Sequence, residues 1–112
     1  MTYVPDRGHV VWLQFNPQAG HEQAGHRPAL VVSPAAYNGR TGLALCCPVT
    51  SQVKGYPFEV HLGDNPVVTG VVLADQVKNL DWRARGVRFA AAADSAVVEE
   101  VVAKLAALLR IE

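Results

Sequence analysis

The sequence predicts a mainly β domain: a small, strongly bent antiparallel sheet or barrel with one α-helix packed against it at the C-terminus. Three observations carry this expectation. Short runs rich in Val, Leu, Thr and aromatic residues recur along most of the chain, separated by Gly, Pro and Asn. Only the last stretch has helical periodicity. After Asp94, apolar residues stand at Val98, Val101, Val102, Leu105, Leu108 and Leu109, one face of an amphipathic helix. Finally, 112 residues can bury one modest core but not two, so residues 1–112 read as a single domain.

The elements follow in order. Residues 9–15, rich in Val, Trp, Leu and Phe, form a strand entered from Gly8. Residues 16–25 are polar, with Pro17 and two glycines, and read as a loop that is mobile without ligand and gates access. Residues 27–33 are apolar without alternation, as in a strand covered on both faces, and Pro28 puts its start at an entry position. Ser33 and Pro34 start a single helical turn through Tyr37. Asn38-Gly39 and Thr41-Gly42 make a turn before a strand over 43–50. A turn at 54–57 leads to a strand over 58–62, and 63–70 is loop. Residues 71–73, 76–80 and 86–90 are further short strands, and Asp94 is placed as the cap of the terminal helix.

Composition excludes several classes. No run of eighteen apolar residues is long enough for a membrane span. The N-terminus, with Asp6 and no apolar core, is unlike a secretory signal and points to the cytoplasm. Cys46 and Cys47 are neighbours in a strand, so they face opposite sides and cannot readily bridge. No ligand spacing for a metal surrounds them, and no cofactor is implied. Ten Lys and Arg balance ten Asp and Glu, which argues against a long nucleic-acid track. The stretch from Asp94 holds four acids and two bases, which leaves eight bases against six acids elsewhere. With Arg83, Arg85 and Arg88 clustered, a small basic patch remains compatible with that balance.

Two segments place polar residues at the ends of apolar strands, where a sheet holds them rigidly beside open loops. They are Glu22-Gln23-Ala24-Gly25-His26-Arg27-Pro28, and Pro48-Val49-Thr50-Ser51-Gln52 followed by Lys54-Gly55-Tyr56-Pro57-Phe58. These motifs, with Leu73-Ala74-Asp75-Gln76-Val77-Lys78, Trp82-Arg83-Ala84-Arg85-Gly86 and the opening Tyr3-Val4-Pro5-Asp6, stand in the order found in MazF/PemK toxins. The chain resembles that family up to about Gly86; the terminal helix is less distinctive.

The resemblance implies an SH3-like barrel shared with the gyrase poison CcdB, and a homodimer with its RNA surface near the subunit interface. It implies metal-independent, sequence-specific cleavage of single-stranded RNA, leaving a 2′,3′-cyclic phosphate and a 5′-hydroxyl. It implies inhibition by a MazE-like antitoxin with an acidic C-terminal tail. The family's key arginine and threonine fall on Arg27 and Thr50.

Attack of a 2′-hydroxyl on phosphorus needs a proton acceptor, a proton donor and stabilisation of the added charge. Arg27 suits the last role, because a guanidinium forks onto phosphate oxygens and stays protonated. Thr50 can donate its hydroxyl and is stiff at χ1. Glu22, inside the matched motif, is the preferred proton carrier, ahead of His21 and His26. Phe15, His26, Gln52, Lys54, Asp75, Arg83 and Arg85 are candidate RNA contacts. Each has a plainer reading: Arg27 in an ion pair with Glu22 or Asp75, Thr50 as a strand-end hydroxyl, Arg83 and Arg85 on a solvated edge, Trp12 and Trp82 in the core. A non-enzymatic CcdB-like inhibitor on the same fold is the alternative from another class.

Overall fold

The computed structural model describes residues 2–16, 20–23 and 25–110. Among the described residues seven strands form one antiparallel sheet: β1 (His9–Gln14), β2 (His26–Val31), β3 (Leu43–Thr50), β4 (Glu59–His61), β5 (Val71–Leu73), β6 (Lys78–Asp81) and β7 (Arg88–Ala92). Helix α1 (Ala35–Thr41) lies between β2 and β3, helix α2 (Ser95–Leu109) follows β7, and a 3-10 turn occupies Ala74–Gln76. The spatial order is β4-β5-β3-β2-β1-β7, with β6 also paired to β3.

Strand β3 explains the bend. One edge pairs with β2, Cys46 opposite Val31. The other edge is shared: β6 pairs with Leu43 to Cys46, and β5 with Val49 and Thr50. The three-residue 3-10 turn joins β5 to β6 beside the middle of β3, with Ala74 buried in the core next to Cys47. Both faces of β3 are therefore covered. Cys47 and Val49 belong to one core cluster with Val10, Leu30, Val60 and Val72, whereas Ala44 and Cys46 belong to a second with Leu13, Phe15, Val31 and Trp82. The two cysteines are free, buried and on opposite faces, as their adjacency requires. Among the described residues β4 and β7 do not pair, so the sheet is bent but not closed into a barrel. Helix α2 covers the first cluster instead, inserting Val101 with Val97, Val98 and Leu105 around it.

Four expectations are corrected. Asn38-Gly39 is not a turn. It lies within α1, where the buried Asn38 amide donates to the Pro5 and Ser33 carbonyls and its Oδ1 accepts from the Ser33 hydroxyl. The strand expected from Gln76 begins at Lys78, because Ala74–Gln76 is the 3-10 turn. The strand expected from Gly86 begins at Arg88. Asp94 stands at the α2 cap position, but its side chain makes no cap hydrogen bond. The N-terminus of α1 is served from a distance: the Ala35 amide donates to Asp6 Oδ1 at 2.8 Å.

Candidate active site

Strands β2 and β3 place Ala29 opposite Pro48. Continued to the strand ends, this antiparallel register sets Arg27 opposite Thr50. Two residues 23 positions apart in the chain thus become neighbours by strand pairing alone. The Arg27 guanidinium donates from Nη1 to the Val49 carbonyl at 3.3 Å. Thr50 is 9% exposed. Its Oγ1 accepts a hydrogen bond from the Gln52 amide at 3.2 Å, which orients the hydroxyl and leaves its proton free for a partner. Gly70 makes the close packing there possible. Its φ is +118°, and a Cβ at that position would stand 2.2 Å from the Thr50 carbonyl oxygen.

Two adjoining clefts open at these strand ends. The first, about 450 Å³, is bounded by Trp12, Arg27, Pro28 and Thr50, with Val67 to Thr69 on its far side. The second, about 660 Å³, is bounded by Lys54, Tyr56, Asp75 and Gln76. Gln23, Thr50 and Gln52 line both. The surface is therefore a continuous trough, with a cationic and hydroxyl-bearing end at Arg27 and Thr50.

The second cleft is held by hydrogen bonds from side chains to one another and to backbone. The Tyr56 hydroxyl donates to Asp75 Oδ2 at 2.8 Å, and that bond to a carboxylate holds the phenol above its ordinary pKa. Asp75 Oδ1 is buried and meets no hydrogen-bond donor among the described residues. Gln76 pins the loop before β2: its Oε1 accepts from the Gln23 amide at 3.0 Å, and its Nε2 donates to the His21 carbonyl at 3.4 Å. Gln23 and Gln76 both lie inside motifs the sequence singled out. They went unmarked because an amide side chain carries no proton chemistry; their role is to hold backbone.

Not every expected residue reaches the trough. Phe15 is 1% exposed, inside the second core cluster. It continues the alternation of Val11 and Leu13 past the end of β1, so it faces the core and cannot meet RNA; this expectation is withdrawn. Glu22 lines neither cleft, and its carboxylate meets Lys78 Nζ at 3.0 Å. His26 is exposed and stacks on Trp12, with ring centroids 5.9 Å apart, so it extends the wall of the first cleft from outside. Arg85 donates from Nη1 to the carbonyls of Gln14 and Asn16, at 2.9 and 2.7 Å, and so fastens the start of the loop after β1. Arg83 lies over the Trp82 ring at 4.6 Å and donates to the Gly39 carbonyl. Neither arginine lines a cleft. Trp82 itself is buried and donates to the Asn38 carbonyl. The expectation of a mobile loop over 16–25 falls partly on Pro17, Gln18, Ala19 and Ala24, outside the described residues.

Chemically, the first cleft offers a fixed cation beside a fixed hydroxyl, which suits a phosphodiester, and the second offers polar edges and an aromatic ring, which suit a base. Comparison with known proteins identifies the family. A family model described as PemK-like, MazF-like toxin of type II toxin-antitoxin system matches residues 6–109. The chain is 60% identical over 84 residues to the endoribonuclease toxin MazF of Escherichia coli (strain K12), covering 75% of each. It is 61% identical to MazF of Deinococcus radiodurans in a crystal structure with TM-score 0.94, covering 98% of this chain and 100% of that one. A MazE-MazF crystal structure (Form-II) from the same organism matches at 60% identity and TM-score 0.89, covering 99% and 100%.

Proposed function

The chain belongs to the PemK-like, MazF-like family of toxins of type II toxin-antitoxin systems, and on that premise we propose that it is an endoribonuclease toxin cutting single-stranded RNA at the Arg27–Thr50 cleft. The observation that carries the reading is the meeting of these two side chains, from different strands, at one open trough. Arg27 stabilises the charge that builds on the non-bridging phosphate oxygens, and Thr50 donates its hydroxyl to one of them. The RNA's own 2′-oxygen attacks phosphorus and the 5′-oxygen leaves with a proton. The products are a 2′,3′-cyclic phosphate and a 5′-hydroxyl.

The proton carrier is a separate matter. Glu22 stands paired with Lys78 rather than in the trough, so it acts only if RNA draws the 20–23 segment inward. His21, which lines the second cleft, is the other proposed carrier. Lys54, Asp75 and Gln52 line the second cleft and are the proposed contacts to the RNA beside the scissile bond, and His26, stacked on Trp12 outside the first cleft, is another. The chain works as a homodimer in the cytoplasm, and a MazE-like antitoxin with an acidic, partly apolar tail competes for the trough. The MazE-MazF crystal structures support that partner. Similarity to endoribonucleases favours this reading over a CcdB-like gyrase poison.

The test is cleavage of a long single-stranded RNA by the purified protein in EDTA, with both product ends mapped. Cyclic phosphate and 5′-hydroxyl termini at a recurring sequence are expected. An RNA left intact, or cut only after divalent metal is added, would sink the proposal.

A further inference from the structure

We propose that Glu59 is a positioning residue for RNA: its carboxylate fixes the shape of the 54–57 arm that presents Lys54 and Tyr56 to the second cleft. The role rests on reading that cleft as RNA-binding surface. Three consecutive amides converge on this one carboxylate. Lys54 N–H donates to Oε2 at 3.0 Å, and Gly55 and Tyr56 N–H donate to Oε1 at 3.0 and 3.2 Å. Successive amides turned to one point form a concavity that binds anions, and here the anion is the chain's own. Hydrogen bonds to a charged acceptor are roughly twice as strong as neutral ones. Gly55 permits the curl by standing at φ +77°.

The carboxylate is itself anchored. Glu59 opens β4 opposite Leu73, and Leu73 leads directly into the 3-10 turn that carries Asp75 and Gln76. The arm is tied further by the Glu59 amide to the Tyr56 carbonyl at 3.0 Å, by Tyr56 to Asp75 at 2.8 Å and by Lys104 Nζ to the Pro57 carbonyl at 2.6 Å. Because the arm's amide donors are taken by Glu59, what the arm offers RNA is the Lys54 ammonium and the Tyr56 ring. An arm shaped before RNA arrives loses less conformational freedom on binding. Glu59 thus acts on RNA capture and leaves the chemistry at Arg27 and Thr50 alone.

The test compares Glu59→Ala, Glu59→Gln, Lys54→Ala and the Glu59→Ala/Lys54→Ala double variant in single-turnover cleavage over a range of RNA concentrations. Glu59→Ala should raise the half-saturating RNA concentration about tenfold and leave the maximal rate within about twofold. Glu59→Gln, which keeps length and loses charge, should fall between. In the Lys54→Ala background most of the Glu59→Ala effect should vanish. Additive effects, or a lower maximal rate at unchanged saturation, would overturn the role. Amide exchange by NMR on the free proteins reads the arm without RNA. Lys54, Gly55 and Tyr56 should exchange faster in Glu59→Ala while the strands keep their protection; unchanged exchange overturns the proposal whatever the activity. Wild-type protein that cuts no RNA removes the proposed function and this role with it, whereas active wild-type protein with additive variants removes only this role.

Discussion

In the proposed reaction Arg27 and Thr50 act as a pair because strand register brings them together, and each contributes something the other cannot. Removing a preorganised donor from a developing oxyanion costs about 100- to 1,000-fold in rate. Arg27→Ala should therefore slow cleavage by that order while leaving the thermal midpoint close to wild type, since its side chain is only partly buried. Arg27→Lys should recover part of the loss, because an ammonium restores charge but not the fork. Thr50→Ser should retain most activity and Thr50→Val little, as valine keeps the shape and removes the hydroxyl that Gln52 orients. Single-turnover rates with parallel melting curves check all four. Phe15 gives the opposite signature. Phe15→Ala should destabilise the fold by about 3–5 kcal/mol, whereas Phe15→Leu should fold and cut RNA at an unchanged half-saturating concentration. A selective loss of RNA affinity in Phe15→Leu would restore it as a contact. At this scale the motifs led to Arg27, Thr50, Gln52, Lys54 and Asp75, all of which line the clefts. Phe15 lies outside those motifs, and its place beside a polar loop hid the inward direction of its side chain.

At the scale of elements, the trough depends on how β3 shares its edge. The β5 strand, the 3-10 turn and β6 run along one side of β3, and Gly70 lets the chain enter β5 directly against Thr50. Gly70→Ala should both lower stability and impair cleavage, because the new methyl group meets backbone that no rotamer change relieves. An active variant with the parental melting temperature would contradict this. The strands were legible because each alternates or runs apolar between turn residues. Helix α1 was underread because Asn38-Gly39 has turn chemistry locally, and tertiary hydrogen bonds from Asn38 to Pro5 and Ser33 overrode it. The 3-10 turn at Ala74–Gln76 was invisible because three residues carry no period; what defines it is the need to step from one half of the β3 edge to the other.

Among the described residues the buried Cys46 and Cys47 thiols and the partly buried Tyr3 phenol favour their neutral forms in the fold, which weakens it at alkaline pH. Burial pushes the Tyr3 phenol from 10.0 to about 12 and the Cys46 and Cys47 thiols from 9.0 to about 12. Each group binds its proton more tightly folded than unfolded. The stability they contribute is therefore intact below about pH 9 and lost as pH rises through about 12. Denaturant melts at rising pH should show this decline. Tyr3 also donates to His9 Nδ1 at 2.7 Å, and that nitrogen is held as an acceptor by the Asp6 amide as well. Tyr3→Phe should make the alkaline decline shallower; an identical pH profile would show that Tyr3 takes no part. The same two-sided packing lets so short a chain stay ordered around an open trough, since β2 and β3 bury side chains on both faces.

By itself the sequence determined the class of fold, the order of the strands, the terminal helix and the family motifs that mark Arg27 and Thr50. These follow from local pattern: side-chain alternation, turn residues and short signatures are properties of neighbouring positions. Only the tertiary structure decided that the sheet stays open under α2, that Phe15 turns inward, that Arg83 and Arg85 fasten backbone away from the clefts, and that Gln76 and Glu59 hold the loops around them. Those outcomes depend on which distant groups meet, and strand register and burial decide that rather than the sequence within any one segment.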